Sequence, residues 1–257
     1  MKCRAVSAMA AVVGIVTAPM SPLRAQAVPR DELGRGVKLA ILVDKVMQPQ
    51  AEWVTEEWMV RETAEASFNV LSPRRGGEKM DEVRQVTEWC AKYGLYHMPW
   101  MRGTLAVGGV ADSAGKKLVW ANGGEQPLWS PNSDELWDWM TELIVEHARI
   151  SVEMPSLIGV FLDYENYAAG KQGNCYSLSY DDIIMRSFAR ANQVALPQLE
   201  LGERKGWLEE QGLHEDFSEF QINHWRERCR ALRQAVDQIN PKFQFCVYPA
   251  PGTLLMT

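Results

Sequence analysis

Short apolar runs alternate with amphipathic segments along most of the chain. The apolar runs end in polar or aromatic side chains and are typical of β-strands buried on both faces. Five strands are predicted, at 37–44, 69–74, 95–103, 157–165 and 243–250. Between the strands, apolar side chains recur at the spacing of one helix face. Helices are predicted at 50–68, 78–94, 130–151, 180–193, 198–212 and 217–239.

Residues that begin or end helices support these boundaries. The stretch Ser-Pro-Asn-Ser-Asp at 130–134 supplies side chains that cap a helix N-terminus. Gly94 ends the second helix, and Asn240 with Pro241 ends the last one. The segment 104–129 instead contains glycine turns between short β-prone pieces. It predicts a hairpin that leaves the core.

The alternation of strand and helix predicts parallel strands joined by crossover helices. Two folds satisfy that order, a βα barrel and an open doubly wound sheet. The dinucleotide-binding form of the open sheet carries Gly-x-Gly-x-x-Gly after its first strand, and no such motif follows 37–44. This form of the open sheet therefore lacks its sequence signature.

Polar and aromatic residues at the strand ends favour the barrel. The strand-end residues that can contact a ligand are Asp44, Ser72, Arg74, Trp100, Arg102, Asp163, Glu165 and Tyr248. In a barrel, the active site is assembled from the carboxyl ends of the strands. We therefore expect an α/β fold of the (β/α)8 TIM-barrel type, incomplete, with about five βα units. The chain is either a fragment of a longer enzyme, which we favour, or hides strands in the insertion after the fourth strand.

The stretch GVFLDYENY at 159–167 puts two carboxylates at the end of the fourth predicted strand. Alternate residues of a strand point to the same side, so Asp163 and Glu165 share one side. Two carboxylates this close couple their protonation, and the one that keeps its proton can protonate the leaving oxygen of a glycosidic bond. Glu165 is the predicted general acid. The neighbouring predicted substrate contacts are Tyr164, Asn166 and Tyr167.

Two other interpretations of the carboxylate pair stay open. One carboxylate can form a buried ion pair with Arg74 or Arg102, which gives it a structural role. Asp44, Asp163 and Glu165 can also supply oxygen ligands to a hard metal ion. No metal and no cofactor is expected, because the histidines lack ligand spacing. The histidines predicted to be structural are His97, His147, His214 and His224.

Tryptophan is abundant, with ten in 257 residues. Flat aromatic faces stack against sugar rings, and their polar edges donate hydrogen bonds. The tryptophans predicted to stack on a sugar are Trp100, Trp120 and Trp129. The tryptophans predicted to lie in the core are Trp53, Trp58, Trp89, Trp137 and Trp139.

The N-terminus has the features of an export signal. Lys2 and Arg4 precede an apolar run at 5–16, and Ala25 with Ala27 forms the small-x-small pattern of a signal-peptidase site. The run is shorter than the about 20 residues that cross a bilayer, which disfavours a membrane anchor. We expect 1–27 to be removed on export and 28–257 to form the catalytic domain, secreted or periplasmic.

The chain that remains after cleavage is acidic. It retains 24 basic and 33 acidic residues, which disfavours nucleic acid and anionic substrates. The predicted partner is therefore a neutral carbohydrate, with no nucleic acid and no membrane contact after cleavage. The remaining cysteines contain no CxxC pair and are predicted to be buried free thiols, with a disulfide as the alternative. They are Cys90, Cys175, Cys229 and Cys246.

Two stretches, AKYGLYHMPWMRG at 91–103 and IGVFLDYENY at 158–167, resemble the catalytic barrels of secreted bacterial glycoside hydrolases. The Asp-x-Glu of the second stretch is similar to the Asp-x-Asp-x-Glu end of family 18 chitinase-like enzymes. That resemblance implies Glu165 as general acid and Asp163 as its assistant. Ile158 and Phe161 stand where that family carries its earlier aspartates.

The sequence therefore predicts a glycoside hydrolase that cleaves O-glycosidic bonds of a neutral oligo- or polysaccharide. Its predicted catalytic residues are Glu165 and Asp163. The predicted substrate-binding residues are Asp44, Arg74, Trp100, Arg102, Tyr164, Asn166, Tyr167 and Tyr248. The alternatives are a non-catalytic carbohydrate-binding barrel and a metal-dependent barrel hydrolase or lyase.

Overall fold

The computed structural model describes residues 40–44, 54–74, 76–109, 112–163 and 178–248, with the backbone alone at positions 43, 44 and 248. The predicted export signal at 1–27 lies outside these residues. Within them, no helix combines the length and the hydropathy that a bilayer crossing needs.

The order of elements agrees with the prediction. The strands are β1 Ile41–Asp44, β2 Val70–Pro73, β3 Tyr96–His97, β4 Trp100–Arg102, β5 Lys117–Val119, β6 Glu125–Trp129, β7 Gly159–Asp163 and β8 Gln244–Tyr248. The helices are α1 Glu57–Glu65, α2 Met80–Tyr93, α3 Asp134–Glu153, α4 Asp182–Ala191, α5 Arg204–Glu210 and α6 His214–Asp237, with a 3-10 turn at Leu201–Glu203. The predicted third strand is divided into β3 and β4, and the predicted first helix is shorter than 50–68 among the described residues.

The parallel strands lie side by side in chain order. β1, β2 and β3 form one parallel sheet, and β4, β7 and β8 form a second. β3 and β4 belong to one extended segment, which bonds to both neighbours: the Met98 N–H donates to the Leu71 carbonyl, and the Phe161 N–H to the Pro99 carbonyl. A doubly wound sheet would reverse its strand order at a switch point, and no reversal occurs among the described strands. These sheets are small and do not close on themselves within the described part of the chain.

Strand alternation separates two apolar faces. Trp100 and Phe161 pack in one cluster with three further side chains, Val70, Met98 and Ile158. The alternate residues Val160 and Leu162 pack instead against α3 and α6. Leu71 packs against α1 and α2 in the same way. The helices thus cover one face of the sheets, as the crossover connections require.

The helix ends follow the predicted residues. Gly94 adopts a left-handed conformation directly after α2, with φ of 71°, which a residue without Cβ adopts at no steric cost. The Ser133 hydroxyl accepts the Leu136 N–H at the start of α3. Both predicted helix boundaries are confirmed.

The predicted hairpin exists, but part of it belongs to the core. β5 and β6 pair in antiparallel fashion. Leu118, Trp120 and Trp129 are buried against α3 in the largest apolar cluster. The prediction that this segment leaves the core was therefore wrong, because α3 and α6 supply an apolar surface that the hairpin covers.

A buried polar cluster joins the hairpin side of the fold to α4 and α6. Asp181 Oδ2 accepts from Ser130 Oγ at 2.6 Å, Ser179 Oγ at 2.7 Å and Asn132 Nδ2 at 2.9 Å. Gln221 of α6 bonds both backbone groups of Ser179. We call these five residues the Asp181 cluster. All five are buried.

Gly159 lets β7 and β8 approach closely. A Cβ at this position would lie 2.1 Å from the Gln244 carbonyl oxygen of β8. We expect Gly159→Ala to lower the free energy of unfolding by about 3 kcal/mol, because backbone atoms on both strands must move. Urea unfolding monitored by tryptophan fluorescence measures this change.

Gly206 provides the matched control for that variant. It lies in α5, and a Cβ there meets no atom within 4 Å. We expect Gly206→Ala to raise the free energy of unfolding by about 0.5–1 kcal/mol, because alanine favours the helix. Equal effects of the two alanines would contradict the close approach at Gly159.

His97 is buried between α2 and α3. Its Nδ1 lies 2.8 Å from Thr87 Oγ1, and the Thr87 hydroxyl donates to the Val83 carbonyl. Because the hydroxyl has one proton, His97 Nδ1 carries the hydrogen that joins it to Thr87. Burial lowers the pKa of His97 to about 3, and the nearby His147 adds to this effect. The structural role predicted for His97 agrees with this environment.

The lowered pKa makes stability depend on pH. Below about pH 6.5 the unfolded chain binds a proton at His97, whereas the folded chain keeps this imidazole neutral. The free energy of unfolding that is present above that pH is therefore lost progressively as the pH falls towards 3. Between pH 7 and pH 5 we expect His97 to account for a loss of about 2 kcal/mol. His97→Gln should remove this part of the difference in urea unfolding at the two pH values. An unchanged difference in the variant would contradict the assignment.

Candidate functional site

The carboxyl ends of the parallel strands bring several predicted site residues to one edge. Arg102 at the end of β4 is in register with Asp163 at the end of β7, and Asp163 is in register with Tyr248 of β8. On the other side, the Asp44 backbone is in register with Pro73, next to Arg74. The register therefore places the ends of five chain segments beside each other.

Asp163 lies on the interior side of this edge. It alternates with Leu162, which packs against the helices, and shares its side with Phe161. Asp163 is only 4% exposed. The backbone carbonyl of Asp163 accepts the Gly103 N–H at 3.3 Å, which joins the loop after β4 to the end of β7. Asp163 is thus a buried residue at the end of β7, and its predicted role in the site stays a prediction.

The ring of Trp100 lies against the guanidinium groups of two arginines. The guanidinium carbon of Arg74 lies 5.4 Å from the centre of the Trp100 ring, and that of Arg102 lies 5.7 Å from it. Both distances are within the range of cation–π interactions. Trp100 itself is 8% exposed, and its indole N–H is buried with no hydrogen-bond partner in the described structure. We call Arg74, Trp100 and Arg102 the arginine–indole cluster.

The remaining predicted site residues lie partly or wholly outside the description. Glu165 and its neighbours Tyr164, Asn166 and Tyr167 lie outside the described residues. For Asp44 and Tyr248 the backbone position is described and the side chain is not. Their roles stay predictions, as does the pairing of Asp163 with Glu165.

The tryptophan assignments are corrected at three positions. Trp120 and Trp129 are buried in the core and present no ring face for a sugar. Trp58 was predicted to be core and is 46% exposed on α1, where its indole N–H donates to Glu56. The side of α1 that is buried contains Val60 and Thr63 instead. The core prediction is confirmed for Trp137.

Three of the four cysteines predicted to remain after export lie among the described residues. Cys90 is buried and free, and burial raises the pKa of its thiol. Cys246 is half-buried and free, whereas Cys229 is exposed on α6, so the prediction of burial was wrong for Cys229. Cys175 lies outside the described residues. Searched over the same residues, the structure contains no group of three or more His, Cys, Asp or Glu side chains that could hold a metal.

A cavity that no sequence pattern predicts lies next to this edge. A cavity of about 310 Å³ lies between the start of α1, α2 and the loop that follows β2. Its lining combines apolar side chains, such as Val83 and Pro99, with polar ones, such as Gln85 and His97. None of the predicted catalytic or substrate-binding residues lines it in the described structure. Its lining comes from segments far apart in sequence, so no local pattern predicts it.

Comparison with known proteins shows a likeness at the level of fold. No protein-family model matches the chain, and no curated protein matches it. The solved β-galactosidase from Bacillus circulans sp. alkalophilus matches with a TM-score of 0.57 and 12% identity, over 81% of this chain and 36% of that one. The α-L-fucosidase isoenzyme 2 from Paenibacillus thiaminolyticus matches with a TM-score of 0.52 and 10% identity, over 82% of this chain and 32% of that one.

A third solved structure, the β-galactosidase from Rahnella sp. R3, gives a TM-score of 0.53 and 14% identity over 77% of this chain. The chain thus spans about a third of the length of these solved structures. It has a mixed α/β fold whose structural neighbours are glycoside hydrolases. At these identities the likeness concerns the fold alone.

Proposed function

We propose that the chain is part of an exported glycoside hydrolase of (β/α)8-barrel type that cleaves a neutral oligo- or polysaccharide. The observation that carries the proposal is the convergence of Arg74, Trp100, Arg102 and Asp163 at the carboxyl ends of parallel strands in chain order. Barrel enzymes assemble their active sites at this edge. Glycosidases among the structural neighbours support the same class of protein.

In the proposed mechanism, Glu165 donates a proton to the leaving oxygen of the glycosidic bond. Asp163, two residues earlier in the sequence, supplies the second carboxyl group, and two neighbouring carboxyl groups favour a state in which one of them keeps its proton. Arg74 and Arg102 would contact oxygens of the bound glycan.

The test of the proposal is hydrolysis of a panel of p-nitrophenyl glycosides by the full chain. The panel includes the β-D-galactoside and the α-L-fucoside, because those sugars occur in the names of structural neighbours. We expect release of p-nitrophenol from at least one neutral glycoside, with equal rates before and after treatment with EDTA. Loss of the rate on chelation, with recovery on adding a divalent metal, would favour the metal-dependent alternative.

A binding assay separates the proposed enzyme from the non-catalytic alternative. Isothermal titration with neutral oligosaccharides of the same sugars measures affinity without turnover. Binding with no release of product in any assay would identify a carbohydrate-binding barrel. If the chain neither binds nor hydrolyses any of these carbohydrates, the assignment to carbohydrate chemistry is refuted.

Export is part of the proposal, because residues 1–27 have the charged start, the apolar run and the small-x-small site of a signal peptide. Expression of the full chain in a bacterium, followed by N-terminal sequencing of the protein in the periplasmic and medium fractions, measures cleavage. We expect a mature chain that begins at Val28. An intact N-terminus on protein in the cytoplasm would contradict export.

A further inference from the structure

We propose that Trp100 is a positioning residue whose buried ring holds Arg74 and Arg102 at the strand ends, where the two guanidinium groups bind the glycan. This deepens the proposed function and rests on it. It also replaces the stacking role that the sequence predicted for Trp100. The inference starts from the geometry of the arginine–indole cluster, in which one ring has two guanidinium carbons at 5.4 and 5.7 Å.

The burial of Trp100 favours a role in supporting the arginine side chains over a role in stacking on a sugar ring. The residue packs with Met98 and Phe161 on the interior face and is 8% exposed. A sugar that stacks on a ring needs one open face of that ring. Here guanidinium groups approach the ring, so the surface offered to a ligand consists of arginine N–H donors.

The arginines come from two different strands. Arg74 follows the end of β2, whereas Arg102 is the last residue of β4, two positions after Trp100. The ring therefore contacts two long side chains from different strands and, together with their other interactions, restricts the rotamers that they sample. A guanidinium is weakly hydrated and stacks readily on an aromatic face, and indole is the most favourable ring for this contact.

A guanidinium that lies against a ring still has its N–H donors in its own plane, and Arg74 and Arg102 each make further interactions within the protein. Each arginine has five N–H donors in a fixed fork, so one side chain can bind a protein acceptor and a sugar oxygen together. Arg102 is in register with the buried Asp163. The cluster thus places fixed donors directly beside the predicted catalytic strand end.

The first experiment measures the positions of the arginines without any substrate. Signals of the Arg74 and Arg102 Nε–H groups, assigned with Arg74→Lys and Arg102→Lys, are recorded by NMR in the full chain. Ring current from Trp100 should shift both signals in the wild type. We expect the shifts to persist in Trp100→Phe, which keeps an aromatic face, and to disappear in Trp100→Leu. Signals that do not respond to Trp100→Leu would overturn the proposal.

A second readout avoids the core substitution, in case Trp100→Leu fails to fold. The indole N–H signal of Trp100 is compared in Arg74→Gln and Arg102→Gln, two changes at side chains that are not fully buried. Arg84→Gln is the control, because Arg84 pairs with Glu153 on the surface of α2. The signal should move in the first two variants and stay in the third. No movement in either of the first two would also overturn the proposal.

Kinetics with the hydrolysed p-nitrophenyl glycoside test the link to the site. We expect Trp100→Leu to raise KM roughly tenfold with kcat changed by less than about threefold, and Trp100→Phe to recover most of the wild-type KM. Equal KM values in Trp100→Leu and Trp100→Phe would mean that Trp100 only packs in the core, and this result would overturn the proposal. A wild type that hydrolyses no glycoside refutes the proposed function instead, and the NMR measurements then decide the positioning of the arginines separately.

Discussion

Glu165→Gln should reduce hydrolysis of an unactivated neutral disaccharide by about 10³-fold, because the amide has the shape of the acid and no proton to donate. General acid catalysis contributes typically about 10²–10⁴ to the rate. The loss should be smaller with p-nitrophenyl glycosides, whose leaving group departs with little protonation. This difference between the two substrates identifies an acid that acts on the leaving oxygen.

The control for this variant is Glu142→Gln, which changes the same type of residue on the exposed side of α3. We expect wild-type rates for the control and wild-type thermal unfolding for both proteins. Disaccharide hydrolysis by Glu165→Gln at the wild-type rate would refute the catalytic assignment. A loss of the same size with both substrates would place Glu165 in substrate binding or folding rather than proton donation.

Elements whose signals are local were predictable from the sequence. The helix face with Val83, Val86 and Cys90 buried recurs at helical spacing, and Gly94 stops that helix because it adopts the left-handed conformation. Strand alternation likewise separates Phe161 from Val160 and Leu162, which pack in different apolar clusters. These features depend on backbone geometry and on neighbours within one element, which a single sequence contains.

Features that depend on distant partners were not predictable in the same way. Trp58 and Trp137 both occur at helical spacing, yet one is exposed and the other packs edge to face against Trp225 of α6. The partner lies far away in the sequence, so the pattern around each tryptophan gives no warning. The arginine–indole cluster is intermediate, because the strand ends were predicted to meet and the contact with the ring was not.

The Asp181 cluster shows the same limitation and leads to a large expected effect on stability. The sequence suggests nothing about it, because its members come from the segment before α3, the segment before α4 and the first half of α6. Asp181 receives three side-chain donors at one oxygen. Its other oxygen accepts the N–H groups of Ile183 and Ile184 at the start of α4. The carboxylate thus joins three segments and caps a helix.

Asp181→Asn should lower the free energy of unfolding by about 3 kcal/mol, because it removes the charge at the centre of the cluster and leaves a buried N–H donor without its acceptor. The hydroxyl groups of Ser130 and Ser179 can rotate to accept from the new amide, whereas the Asn132 amide N–H cannot, so it loses its bond at Oδ2. Loss of the negative charge also weakens the cap of α4. Urea unfolding at pH 7, followed by tryptophan fluorescence, measures the change.

Asp138→Asn supplies the matched control, because Asp138 lies on the exposed face of α3. It should change the free energy of unfolding by less than about 0.5 kcal/mol. A double-mutant cycle with Ser179→Ala then measures the coupling inside the cluster. We expect the two changes together to cost less than the sum of their separate costs, because each removes the charge-assisted hydrogen bond from the Ser179 hydroxyl to the Asp181 carboxylate, and the amide variant retains at most a neutral one. Additive costs would mean that the carboxylate and the hydroxyl stabilise the fold independently, and the proposed junction of hairpin, α4 and α6 would lose its energetic basis.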